Sequence, residues 1–183
     1  MKIKQIAIIG IILLLLVGLS GCIKPSIDIQ ALEKEIHNLI NGERASYGLS
    51  ALEYDEDLAD IARSHSQDMA NRNFFDHYNP EGLGPTERAV AAGYSCYKNY
   101  GNYYVNGIAE NIFQNNMYDS VTYLVIIPLY EWNDQHDLAV STVNGWMSSY
   151  GHRENILDSS YSKTGLGVAI SSSDKVYITQ DFW

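Results

Sequence analysis

The hydrophobic period changes once along this chain, and that change sets the class of fold. Ile29, Leu32, Ile36, Leu39 and Ile40 recur at helical spacing, and so do Leu58, Ile61, Ala62, His65 and Met69. Asp28 and Asp55 stand where helix caps are expected, with ends near Tyr47-Gly48 and Asn71 to Asn73. At the C-terminus the period becomes two. Leu166, Val168 and Ile170 alternate with small residues, Ser171 to Asp174 makes a turn, and Val176, Ile178 and Gln180 alternate again. Helices first and a hairpin last predict an α+β fold, with helices packed on an antiparallel sheet.

The middle of the chain is less regular. Thr86 is expected to cap a short helix running to Ala92-Gly93. Residues 94–108, rich in Tyr, Asn and Gly, read as a long loop or irregular strand. Ile112-Phe113 reads as a short strand, and Val121 to Ile127 as a strand that Pro128 stops. Val140 to Ser149 is expected to be helical, broken at Gly151, with a further turn of helix to Leu157.

Residues 1–21 have the layout of an export signal. Lys2 and Lys4 precede an apolar run from Ile6 to Val17, and Leu19-Ser20-Gly21-Cys22 follows. A cysteine in that place resembles the lipid-bearing first residue of a lipoprotein, and an uncleaved membrane anchor is the alternative. Residues 22–31, with Pro25, form a tether. Both readings place the domain outside the cytoplasm, on the extracellular face of the membrane. Lipidation of Cys22 leaves Cys96 as the only thiol and excludes an intramolecular disulfide. Cys96 has Lys98 as its only basic neighbour, a poor setting for a catalytic thiolate. Removing residues 1–21 takes two lysines and no acids, which deepens the charge from −10 to −12. An acidic chain without a basic cluster excludes nucleic acid as a partner.

The chemistry-bearing residues fall in two turn-rich places. His77 lies in Phe74-Phe75-Asp76-His77-Tyr78-Asn79-Pro80, and His152 in Tyr150-Gly151-His152-Arg153-Glu154-Asn155. Loops on a rigid scaffold commonly carry a site. Two imidazoles and a carboxylate could make a zinc-type site with room for water; spacing alone favours the plainer reading, that both rings bond backbone and hold their loops. His65 falls on an apolar stripe and reads as a core histidine. His37 and His136 read as surface residues. Glu110 is a carboxylate beside the apolar segment Ile112-Phe113.

Taken in order, a set of segments carries a family resemblance. They are Asn41-x-x-Arg44, Gly48-Leu49, Leu58-Ala59-x-x-Ala62-x-x-His65, Phe74-x-x-His77, Gly93-Tyr94, Ala109-Glu110-Asn111-Ile112, Gly145-Trp146, Gly151-His152-Arg153-x-Asn155-Ile156-Leu157, Gly165-x-Gly167 and Thr179-Gln180. The chain resembles the CAP superfamily of cysteine-rich secretory, antigen 5 and pathogenesis-related 1 proteins, in its prokaryotic SCP-like branch, over about residues 32–183. The resemblance implies a three-layer α-β-α sandwich with a central antiparallel sheet. It implies a cleft lined by two histidines and two acids, in which the histidines of several members hold a divalent metal. Here His77, Glu110 and His152 match three of the four, and Ser149 stands where the second acid belongs. Metal binding would then rest on His77 and His152 with waters, zinc ahead of other ions, with Glu110 behind a ligand or acting as base. Residues 114–140 form an insertion rich in aromatics (Tyr118, Tyr123, Tyr130 and Trp132), read either as a binding lid or as a surface elaboration.

Three functions stay open. One is an extracellular, monomeric binding module whose cleft takes a small lipid, a glycan or a peptide, with or without a metal. Another is a metal-dependent hydrolase of peptide or envelope polymer, with Glu110 as general base. The last is a structural surface protein with a vestigial cleft.

Overall fold

In a computed structural model the described residues are 23–99, 101–102 and 104–183; residues 1–21, where an export signal is expected, and Cys22 lie outside them. Helix α1 spans Ile29–Ser46 and α2 spans Glu56–Arg72, each capped as its sequence predicts. Asp28 accepts a hydrogen bond from Ala31 N, and Asp55 accepts one from Leu58 N, satisfying otherwise orphaned helix donors. The first helix thus begins within residues 22–31, the stretch expected to be a tether. Helix α2 closes on Asn73, which takes the left-handed conformation at φ 53°.

The main sheet has strand order β1-β7-β8-β4, with β1 Glu53–Tyr54, β4 Ala109–Asn116, β7 Lys163–Ile170 and β8 Lys175–Phe182. β7, β8 and β4 pair antiparallel, while the two-residue β1 adds a parallel edge to β7. One face carries Leu166, Val168, Val176 and Ile178. It packs under α1, α4 (Gln135–Ser148) and α5 (Tyr150–Leu157), in a core with Leu32, Ile36, Ile40, Leu138, Trp146 and Ile156. The other face packs under α2. There Gly165 and Gly167 allow near contact. A Cβ on Gly165 would stand 2.1 Å from Ala59 N, and one on Gly167 2.0 Å from Arg63 N. Ser66 bridges the gap by donating to the Gly167 carbonyl at 2.8 Å. The result is helices on both faces of a sheet, the expected α-β-α sandwich.

The Asn41 and Arg44 motif is a pair of clamps. Asn41 holds both the N–H and the carbonyl of Leu52. Arg44, fully buried, donates to the carbonyls of Ser50, Ile156 and Asp158, tying the end of α5 to α1.

Several local expectations change. Helix α3 spans Pro85–Ala91, with Gly84 as its N-cap and Pro85 first. Thr86 instead accepts a hydrogen bond from Ile108 N. Residues 94–108 contain a small ribbon, β2 Tyr97–Asn99 against β3 Tyr104–Asn106. The insertion is a second ribbon, β5 Tyr118–Leu124 against β6 Ile127–Trp132. Pro128 lies inside β6, opposite Tyr123. A two-stranded ribbon leaves one side of each strand without partners, so a missing N–H is tolerated there. Gly151 sits within α5, and the break between α4 and α5 falls at the extended Ser149. His37 is half-buried, bonded to Asn41 and edge-on to Tyr54, while His136 is exposed and pairs with Glu35. No helix among the described residues is long and apolar enough to cross a membrane.

Candidate functional site at the free edge of β4

Strand β4 is an outer strand of the sheet, and the site is built around it. Glu110 stands near its start, on the α2 face. Its side chain is 1% exposed, and both of its oxygens are engaged. Oε1 accepts from His77 Nδ1 at 2.8 Å, and Oε2 pairs with Arg88 of α3. Arg88 also donates to the carbonyls of His77 and Leu83, which fixes the loop that carries His77. The Glu110 bond takes the Nδ1 proton and leaves Nε2 of His77 as the nitrogen free for a ligand.

His152 comes from the opposite layer. Ser149 is extended (ψ 125°) and caps α5, which places His152 in the first turn of that helix. Asn111 Nδ2 donates to the His152 carbonyl at 3.0 Å, and Asn155 donates to Asn111 Oδ1 at 2.9 Å. Asn155 also covers the Glu110 carbonyl, and Trp146 Nε1 covers the Ile112 carbonyl. Two carbonyls of β4 are thereby satisfied without another strand.

His77 and His152 line one cavity of about 530 Å³ with Ser149, Ile112, Phe113 and Phe75. Gly145 of α4 keeps it open beside Phe113, whose ring lies 2.5 Å from where a Cβ would stand. Of residues 114–140 only Gln114 lines this cavity, so the β5–β6 ribbon does not form its lid. Among the described residues no group of three or more His, Cys, Asp and Glu side chains is clustered as a metal cage.

The two imidazoles are tuned in opposite directions. The hydrogen bond to Glu110 raises the His77 pKa above the ordinary histidine value. Burial lowers that of His152, and the positive charge of His77 adds to it. In a titration followed by NMR, His77 is expected to lose its proton above about 6.5 and His152 below it. A common midpoint for both rings would contradict this arrangement.

Sequence reasoning missed two residues of this cluster. Arg88 is one, 10% exposed in its side chain. Asp181 is the other, a fully buried acid directly across the ladder from Glu110. Burial, with the neighbouring Glu110 carboxylate, pushes its pKa well above the usual carboxylate range. The available signal was an acid inside the alternating strand Val176 to Phe182, on the face opposite Ile178. His65, fully buried on α2, bonds the Asp76 carbonyl at 3.0 Å and steadies the same loop. Cys96 is buried and its thiol is pushed up by burial, away from thiolate chemistry.

The family model described as the cysteine-rich secretory protein family, CAP, matches residues 37–182. The chain is 32% identical over 145 residues to the uncharacterized protein YkwD of Bacillus subtilis, covering 79% of this chain and 45% of that one. A crystal structure of an extracellular protein containing an SCP domain from Bacillus anthracis matches with TM-score 0.60 and 25% identity, over 84% of this chain and 40% of the other. The fold also matches an outer surface protein of Borrelia burgdorferi, with TM-score 0.63 and 16% identity, over 87% of this chain and 97% of that protein. The chain thus spans less than half the length of its two Bacillus relatives. With the motif residues gathered on one sheet edge and the family model covering most of its length, this chain belongs to the cysteine-rich secretory protein (CAP) family.

Proposed function

We propose that this is an exported, membrane-tethered binding protein whose cleft takes a divalent ion through His77 and His152. The observation that carries it is the Glu110 bond to His77 Nδ1, which leaves Nε2 on a cavity shared with His152. Carboxylate, histidine and metal in that order are the usual support of a histidine ligand. With two nitrogen donors, the Ser149 hydroxyl and water for the rest, zinc fits better than calcium or magnesium, which want several oxygens. The same cavity, with Phe75, Ile112 and Phe113 on its wall, suits a small ligand with an apolar part.

Binding is favoured over hydrolysis. A general base must reach a proton, and both oxygens of Glu110 are already engaged beneath the surface. The export signal and Cys22 support the tether. The extracellular SCP-domain relative supports the location.

The test is calorimetry of zinc at pH 7.5 on full-length protein without a His tag. Wild type is expected to bind one zinc, and His77→Ala and His152→Ala each to lose most of the affinity. Ser149→Glu, which supplies an acid at the family's fourth position, is expected to bind more tightly. A wild type that takes up no zinc, or histidine variants that match it, would end the metal reading.

A further inference from the structure

The β5–β6 ribbon ends in the most exposed apolar stretch of the described residues. Leu124, Val125, Ile126 and Ile127 are 62%, 90%, 86% and 57% exposed. Leu124 pairs with Ile127, so Val125 and Ile126 form a two-residue turn. Such turns favour Gly, Asn or Asp where φ is positive. Here Val125 holds φ 62°, a conformation that β-branched residues rarely adopt. The tip thus carries apolar bulk at a position whose backbone prefers a small or polar residue. From Thr122 to Tyr130 the ribbon has no charge, and its two acids, Asp119 and Glu131, lie near its base. The base is rigid, with Tyr118, Tyr130 and Trp132 packed on one another.

The N-terminal tether reaches the domain at this same base. Lys24 lies 5.9 Å above the Trp132 ring and pairs with Asp174 of the β7–β8 turn. Met117, at the root of the ribbon, bonds the Asp174 carbonyl. Two residues before Lys24 is Cys22, a span of at most about 7 Å. From Trp132 to Ile127 the strand advances about 17 Å. A ribbon inclined to the membrane therefore brings its tip and the chain leading to the anchor onto one surface.

We propose that the Leu124–Ile127 tip inserts into the bilayer that holds the N-terminal anchor, as a second and purely apolar membrane contact. The proposal rests on the tethered reading given above. Tyr123, 68% exposed beside Leu124, sits at headgroup level, where tyrosine is favoured. The acidic domain offers no attraction to anionic lipid, so the contact depends on apolar burial and is insensitive to salt.

The test uses the full chain in phosphatidylcholine vesicles that include a lipid with a doxyl group on its acyl chain. An environment-sensitive fluorophore is placed at Ile126→Cys in a Cys96→Ser background, or at Ala91→Cys on α3 as control. The background without either new cysteine measures any labelling of Cys22. At Ile126→Cys the emission is expected to shift to the blue and to be quenched by about half, as suits a segment roughly 5–10 Å into the headgroup–acyl boundary. The control is expected to show neither change, and added salt is expected to leave both signals as they are. No shift and no quenching at Ile126→Cys overturns the proposal. A blue shift without quenching overturns it too, because protein would then cover the tip, either a second copy or this chain's own N-terminal segment. Cys22→Ser reads the anchor separately. Release of that variant, together with an unquenched tip, keeps the tether and rejects the insertion.

Discussion

Gly167→Ala is expected to lower the unfolding midpoint by about 6–12 °C, from a loss of about 3 kcal/mol. The Cβ it adds would lie 2.0 Å from Arg63 N and 2.2 Å from the Ala62 carbonyl carbon. Both are main-chain atoms of α2 and cannot swing aside as a side-chain end can. The helix must lift from the sheet, which strains the Ser66 bond to the Gly167 carbonyl and loosens α2 along β7. Gly165 makes a similar approach to Leu58 and Ala59, so relief at one end is opposed at the other. Gly151→Ala is the control. Nothing lies within 4 Å of its Cβ, and alanine is the better helix former. Thermal unfolding followed by circular dichroism compares the two. Equal midpoints would show that the helix–sheet approach is softer than its geometry states.

Glu110→Ala is expected to cost about 3 kcal/mol, because breaking a buried ion pair strands the remaining charge. Arg88 is that charge, and its Nε has no hydrogen-bond partner within the described residues. Its two carbonyl partners offset part of the loss. Asp181, whose pKa the Arg88 charge lowers and the Glu110 charge raises, offsets more as its carboxyl gains negative charge toward the guanidinium. The expected sign of that exchange is clear. A carboxyl whose folded pKa is raised stabilises the fold below the unfolded value of about 3.9, and that stability is lost as pH rises through the folded pKa. Removing Glu110 takes away one cause of the raised value, so the stability of the variant should fall less steeply with rising pH than that of wild type. Replacing both partners, in Arg88→Met with Glu110→Leu, should recover much of the single-variant loss. Denaturant midpoints across this cycle measure it. A Glu110→Ala protein within about 0.5 kcal/mol of wild type, the range of ordinary surface substitutions, would remove the pair from any structural role.

The two long helices were legible because a buried stripe at helical spacing has few other uses and aspartate caps mark where each begins. The C-terminal hairpin was legible because its strands are buried on the sheet's interior and alternate cleanly. The two ribbons were legible only in part. β2–β3 is written in Tyr, Asn and Gly, which read as loop or irregular strand, and a strand was expected over Val121 to Ile127, where the unbroken apolar tip hid the turn that splits it into β5 and β6. Ribbons outside the main sheet bury little, so burial imposes no alternation on their sequences. In the site, His77, Glu110 and His152 were found through segments that resemble a family. Arg88 and Asp181 were hidden because their meaning is carried by pairing. Asp181 matters through Glu110 across the ladder, 71 residues away in sequence, and no local pattern encodes that register.

The ends of β4 give the molecule a direction. Glu110 and His77 stand at its beginning, while the ribbon, the β7–β8 turn and the segment around Lys24 meet beyond its last residue, Asn116. Eight residues of strand separate the two ends by about 25 Å. If the proposed anchor holds the molecule at the Lys24 end, it would stand upright, with its histidines turned toward the surroundings of the cell and beyond the headgroups. Its mouth would sample what arrives from outside, and a ligand drawn from the host bilayer would have to climb the length of the strand to reach it.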